Sequence, residues 1–464
     1  MALSILCSTS PFLAFIVFDL DRTFALDLQK EHSSQLKKWA YIGRSVDTGL
    51  LFRSKENFGL GLTSICDHYE RMQLVKCELL RNSTDSDIRE LYRSRSARNA
   101  KLTRVWKATK LLSEVDAEVD LNLKFPVQNN NLGIGFGNFN PNPSILQRRK
   151  LVTSKALSFS EQKRVAHSAT LKQQGAWLQW AESAIPFDFS WKNLIWGGIS
   201  PDLIKFILAS SVNWARTPNL MKLWGWKKTA ACCLCAADTC TLHHILSNCS
   251  YALADKRYTW RHDSVLFEIH RVLSNSLQQL NQVRVQNNLP HISLSFVPAG
   301  HAVHHKQKKL QKGLLHKAND WKIIVNLEEF NYIFPPEIIP TSLRPDVVVW
   351  SNQLKRAIII ELTCAAEEGI EAAHIQKESK CLPLIAEITT NSIWKANLFT
   401  IEIGVRRFID VSLNKTLRAL GIPQKAISQL GKNLATIAAC CSYAIYLAAK
   451  SFVWDNYKNH ALKK

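Results

Sequence analysis

A chain of 464 residues with 46% apolar and 21% charged residues can bury a sizeable core, which excludes a disordered polypeptide, a collagen-like rod and a peptide-sized module. Its 59 Lys and Arg against 38 Asp and Glu give a formal charge of +21, so a polyanionic partner is expected, nucleic acid first.

Met1 to Leu20 is apolar around Phe12 to Phe18, has no basic flank and runs into Asp19 and Asp21. This reads as a buried element and not a signal peptide. Residues 27–75 carry helix, loop, helix punctuation around Leu36-Lys37-Lys38-Trp39, Gly43-Arg44-Ser45 and Phe58-Gly59-Leu60. From Arg81 to Lys110 nine basic residues face three acidic ones behind an N-cap signal at Ser83-Thr84-Asp85, which predicts a basic amphipathic helix. Residues 127–144, rich in Asn, Gly and Pro, predict a linker. The glycines at 133, 135 and 137 lack the following helix that a phosphate loop needs, and no small-molecule substrate is expected. Lys163 to Trp226 predicts several helices around seven tryptophans, mostly core.

Cys232, Cys235, His244 and Cys249 have the spacing C-x2-C, eight residues, H-x4-C. Two close pairs flanking a short loop gather four soft ligands for tetrahedral Zn²⁺, a structural site with no open position for catalysis. Cys233, Cys240 and His243 are spare donors, and Cys233 could replace Cys232 by a shift of register. Downstream, Arg257, Arg261 and His262 lie in a basic and aromatic run suited to stacking and phosphate contact. Lys306, Lys308 and Lys309 sit in an acid-free stretch, His304–Lys317, that reads as a DNA-contacting arm, a nuclear-import signal or a solvated loop.

Residues 344–362 predict a hairpin turning near Ser351-Asn352, with Asp346 opening the first strand and Glu361 closing the second. An antiparallel pairing brings both carboxylates to one end of the sheet, where they suit Mg²⁺ or Mn²⁺. A nuclease also needs a cation near the attacking water. The common position, two residues after the second acid, holds Thr363. The following helix offers a substitute, because 366, 370, 373, 377, 380 and 384 share a stripe that reads Ala, Ile, Ala, Lys, Lys, Leu, so Lys377 and Lys380 can point back to the acids. Glu402, on a strand from Phe399, reads as a third carboxylate near the site or, more in keeping with its position, a strand-end salt bridge. Leu434 to Ala449, sixteen apolar residues, falls short of the ~18–20 needed to span a bilayer and predicts a core helix.

The order knuckle, Arg344-Pro345-Asp346, Glu361-Leu362-Thr363, spaced lysines, Ile401-Glu402-Ile403-Gly404 resembles the C-terminal half of the polyprotein of site-specific non-LTR retrotransposons with a restriction-like endonuclease. Earlier segments extend the resemblance: Leu36–Trp39, Gly43–Ser45 and Phe58–Leu62 to the reverse transcriptase thumb, Gly175–Trp177, Trp191 and Trp196–Ser200 to the linker before the knuckle, Gly313–His316 and Asp320-Trp321 to the approach to the nuclease. The resemblance implies a nuclear protein that nicks DNA through metal on Asp346 and Glu361, with Lys377 catalytic, Lys380 as second choice, and element RNA as a second partner. It departs from the pattern at Ala365-Ala366, at Cys381 where a Tyr is usual, and at Arg407 where a Gly is usual. The paired aspartates of a polymerase are absent from this chain, so no polymerase activity is expected. The rival reading keeps nucleic-acid binding with a dead nuclease fold.

The expected fold class is α+β: a mostly helical N-terminal half, a zinc knuckle, then a PD-(D/E)xK-like mixed sheet flanked by helices. The expected segments are a thumb-like helical region 1–126, linker 127–144, Trp-rich helical domain 145–231, knuckle and extension 232–270, endonuclease 290–415 and C-terminal helices 416–464.

Overall fold

The computed structural model describes residues 21–98, 145–176, 178, 199–286, 313–328 and 332–454. The expected N-terminal element, the linker at 127–144 and Lys306, Lys308 and Lys309 lie outside them. The chain divides into two compact units, residues 1–181 and 182–464, so the expected segment 145–231 is shared between the two. Among the described residues no helix is long and apolar enough to cross a membrane.

Unit one is helical: α1 (Arg22–Trp39), α2 (Ile65–Arg81), α3 (Ser86–Arg98) and α4 (Ile145–Ala169). Ser64 caps α2 through Asp67 N, and Asp85 accepts from Asp87 N at the start of α3. The basic helix expected behind the N-cap signal at Ser83-Thr84-Asp85 thus begins there as α3, and its expected continuation from 99 to Lys110 lies outside the described residues. α2 and α4 bury Leu74, Val152 and Ala156 between them.

The second unit holds α5 (Pro201–Ser211), the knuckle, α6 (Arg257–Gln286), β1 (Lys322–Val325), β2 (Val347–Ser351), β3 (Arg356–Ala365), α7 (Ile370–Asn391), β4 (Lys395–Gly404), α8 (Val411–Leu420) and α9 (Gln424–Leu447). The four strands lie in sequence order, with β1/β2 and β2/β3 antiparallel and β3/β4 parallel. The architecture is thus α+β with a small mixed sheet. A parallel pair needs a crossover, and α7 supplies it.

β2 and β3 read as unbroken apolar runs because both faces of the sheet are covered. Val347, Val349, Ile358, Ile360, Ile401 and Ile403 pack against α6, α8 and α9. On the other face Val348, Trp350, Ala357 and Ile359 meet Leu384 and Ile388 of α7, with Phe334 and Ile338. Asp320 secures the hairpin turn by accepting from Gln353 N at 2.8 Å and from the Ser351 hydroxyl. The Leu434–Ala449 stretch forms the core side of α9, with Leu434, Ala435, Ala438 and Ile445 buried.

Two backbone positions are decided by sterics. A Cβ at Gly404 would stand 2.4 Å from Glu367 Oε1. That carboxylate accepts from Arg406 N at 2.7 Å and Arg406 Nε at 2.6 Å, so Gly404 makes room for a buried ion pair. Arg407 has φ +83°, the left-handed region where a side chain costs about 1–2 kcal/mol, which explains in physical terms why glycine suits this position.

Candidate metal knuckle and acid site

The ligand atoms of Cys232, Cys235, His244 and Cys249 all lie within 4.8 Å of one another. Cys232 Sγ is 4.0 Å from Cys249 Sγ, and Cys235 Sγ is 3.3 Å from His244 Nε2. Zn–S bonds of about 2.3 Å at a tetrahedral angle separate two sulfurs by about 3.8 Å, so the donor set fits a zinc ion. Cys233 is exposed while Cys232 is buried in the cluster, which decides the register left open by the sequence. Cys240 is buried outside the ligand set.

Local geometry explains the spacing. After Cys235 the chain turns through Ala236 at φ +56°, and Ala236 N donates back to Cys232 O at 3.1 Å. On an α-helix, residues five apart would point about 140° from one another. Residues 244–248 instead form a single π-helical turn, whose i to i+5 pattern returns Cys249 to the side of His244. Tyr258 holds this turn. Its hydroxyl accepts from Cys249 N at 3.0 Å and donates to Ile245 O at 2.9 Å.

The structure corrects the expectation that Arg257 and Arg261 meet nucleic acid. Arg257 is 0% exposed and donates to Ala448 O, Ser451 O and Asp255. Arg261, 1% exposed, lies over the Tyr258 ring and donates to Ser442 Oγ. A guanidinium enclosed inside the fold cannot neutralise phosphate. His262 is also turned inward, towards the acids.

The register pairs Val347 with Ile360, which sets Asp346 beside Glu361 at one end of the hairpin and on the α7 face of the sheet. Both carboxylates are buried, Asp346 at 6% and Glu361 at 2% exposure. Lys377 of α7 donates to Asp346 Oδ2 at 2.9 Å and to Glu361 Oε2 at 2.7 Å. Leu362 N donates to Asp346 Oδ2 at 2.8 Å, and Asp346 N donates to Glu361 Oε1 at 3.3 Å. Lys380, on the same predicted stripe, is exposed and does not share these carboxylates. The buried face of α7 runs through Lys377, Cys381, Leu384 and Ile388, and Lys380 lies about 60° round the helix from Lys377, so of the two lysines Lys377 reaches the pair. Cys381 Sγ stands 3.3 Å from Glu361 Oε1 and donates there.

Electrostatics follow from burial among these partners. Burial alone would raise the Asp346 carboxyl, but His262 and Lys377 overcome it and hold it below the ordinary range. Burial, and then the neighbouring Asp346 charge, push Glu361 up. For Lys377 burial pulls down and the two carboxylates win, so it titrates above an ordinary lysine. His262 opposes burial through Asp263 and Asp346 and is pushed up to about 9. Its Nδ1 lies 3.0 Å from Asp263 Oδ1, and its Nε2 3.4 Å from Asp346 Oδ2 and 3.3 Å from Leu362 O. The His-Asp dipeptide in Trp260-Arg-His-Asp263 signals the local bond to Asp263 but not the contact with Asp346.

Glu402 forms no part of this pair. It is buried beside His374 Nδ1 at 2.8 Å, the strand-end ion pair that its position suggested. Thr363 is buried and its hydroxyl has no hydrogen-bond partner among the described residues.

No family model matches the chain, and no curated protein matches it.

Proposed function

We propose that the second unit is a metal-dependent DNA-nicking phosphodiesterase with a structural zinc knuckle, in a chain derived from a non-LTR retrotransposon and acting on nuclear DNA. The observation that carries this reading is the meeting of Asp346, just before β2, with Glu361 of β3 and Lys377 of α7 at the open end of a hairpin. Desolvating three charges is costly, so stability alone gives little reason for two buried acids to share one lysine, and such a cluster points to a functional site.

The donor chemistry suits a hard divalent cation. Asp346, Glu361 and the Leu362 carbonyl would supply oxygens to such an ion, and Mg²⁺ or Mn²⁺ needs only one or two carboxylates while retaining water. When bound, such an ion supplies Lewis acidity at the phosphate and an activated water. The protein's own part is electrostatic. Asp346, kept ionised by Lys377 and His262, retains the charge a cation requires, and Lys377 offers a fixed ammonium to the charge that develops on the phosphate. The +21 charge supplies the sequence-independent attraction to DNA.

Relaxation of supercoiled plasmid by the purified chain with Mg²⁺ or Mn²⁺ tests the proposal, with Asp346→Asn as the comparison. Nicking by the parent and not by the variant supports it. Salt-sensitive plasmid binding without nicking would leave a zinc-stabilised binding protein.

A further inference from the structure

The helix that follows the knuckle connects the two sites. Tyr258 and His262 are four residues apart on α6 and so share a face. At one end of this turn the Tyr258 hydroxyl bonds the backbone of Cys249 and Ile245, inside the zinc-ligand turn. At the other, His262 Nε2 faces Asp346 Oδ2 and Leu362 O. Between them Arg261 is buried over the Tyr258 ring, and its partner Ser442 donates to Val405 O at 2.6 Å at the end of β4. Asp263 fixes the imidazole from behind and also accepts from Glu328 N at 3.0 Å. Beyond this turn α6 is anchored by Val265, Leu266, Ile269 and Leu273 in the sheet core, so the knuckle bears on the first turns and not on the whole helix.

We infer that His262 is a positioning residue for Asp346, and that Tyr258 makes its placement depend on occupancy of the Cys3His site. The inference deepens the nuclease reading and rests on it for its consequence, but the contact from ligand turn to acid exists whatever the reaction. Without metal, the π-helical turn loses the ion that ties His244 to Cys249, the Cys249 and Ile245 bonds to Tyr258 loosen, and the His262 ring leaves the Asp346 and Leu362 oxygens. A zinc knuckle placed there is then a condition for an ordered acid site as well as a local staple.

Long-range proton–nitrogen spectra of the full chain carrying ¹⁵N-histidine test this at fixed pH and salt, with His262 assigned by its loss in His262→Gln. His374, on α7 beside Glu402, is the internal control. Removing zinc with a chelator is expected to move or broaden the His262 ring signals and leave those of His374 in place, with re-addition of Zn²⁺ reversing the change. Tyr258→Phe with zinc bound should move the His262 signals in the same direction. Unchanged His262 signals, or equal changes at His374, overturn the inference. In single-turnover nicking, His262→Ala should lower the rate at saturating DNA about tenfold or more with little change in half-saturation, and His262→Gln should recover part of it. Equal rates for His262→Ala and parent overturn the positioning role. Absence of cleavage in the parent would instead refute the nuclease reading while the spectra still decide the contact.

Discussion

The knuckle and the acid site are both clusters of ionisable side chains, yet they are assembled in opposite ways. Four knuckle ligands come from eighteen consecutive residues, and the turns at Ala236 and at 244–248 bring them together locally. The acid site draws Asp346, Glu361, Lys377 and His262 from two strands and two helices, and only the sheet's register and the α7 crossover make them neighbours. A local site depends on its ligands and their metal, whereas a composite site depends on the whole packed unit. The two should therefore fail differently.

The largest effect is expected at the composite site. Asp346→Asn keeps the shape and removes the charge that Lys377 and His262 face, and nicking should fall on the order of 10³-fold, read by single-turnover cleavage. Next is Cys249→Ser or chelation. Loss of a structural zinc should lower the unfolding midpoint of the second unit by several degrees, with about one zinc per chain lost by elemental analysis. A third change attacks the sheet that assembles the acids and spares the knuckle ligands. Ile358→Ala, at a fully buried position, should cost about 2–5 kcal/mol in denaturant unfolding and reduce nicking only through the folded fraction. If Ile358→Ala also released zinc below its own unfolding midpoint, the independence of the knuckle would be lost.

The smallest expected effect lies on α6. Hydrogen bonds from Arg271, followed by Asn433 of α9, hold Glu268 below the usual carboxylate range. With a depressed folded-state pKa, its contribution is complete above the ordinary glutamate value near 4.5 and disappears as pH falls through the folded value. Glu268→Gln should cost less than about 1 kcal/mol at pH 7, and a comparison of urea midpoints should show the difference shrinking below pH 4.5.

These contrasts explain what the sequence disclosed. The zinc-ligand spacing needs no tertiary information, and the β2–β3 hairpin announces itself by two apolar β-branched runs, so Asp346 and Glu361 could be paired from sequence. Lys377 and Lys380 could not be separated by the predicted stripe, which holds both, and only the face that packs in the structure, through Cys381, Leu384 and Ile388, distinguishes them. Arg257 and Arg261 were misleading. Charge and neighbouring aromatics suggest a surface for phosphate, but the carbonyls of Ala448 and Ser451 just past α9 and the Ser442 hydroxyl, nearly two hundred residues away, accept from them. The role of His262 was hidden for the same reason, since its acceptors at 346 and 362 are remote in the chain.

The account rests on one lysine reaching both acids. Single-turnover nicking by the parent, Lys377→Met and Lys380→Met, side by side with Mn²⁺ at fixed salt, tests that most directly. Loss of at least 10²-fold with Lys377→Met and near-parental cleavage with Lys380→Met is the predicted result. Parental cleavage by Lys377→Met, or an equal loss in both variants, would contradict the account.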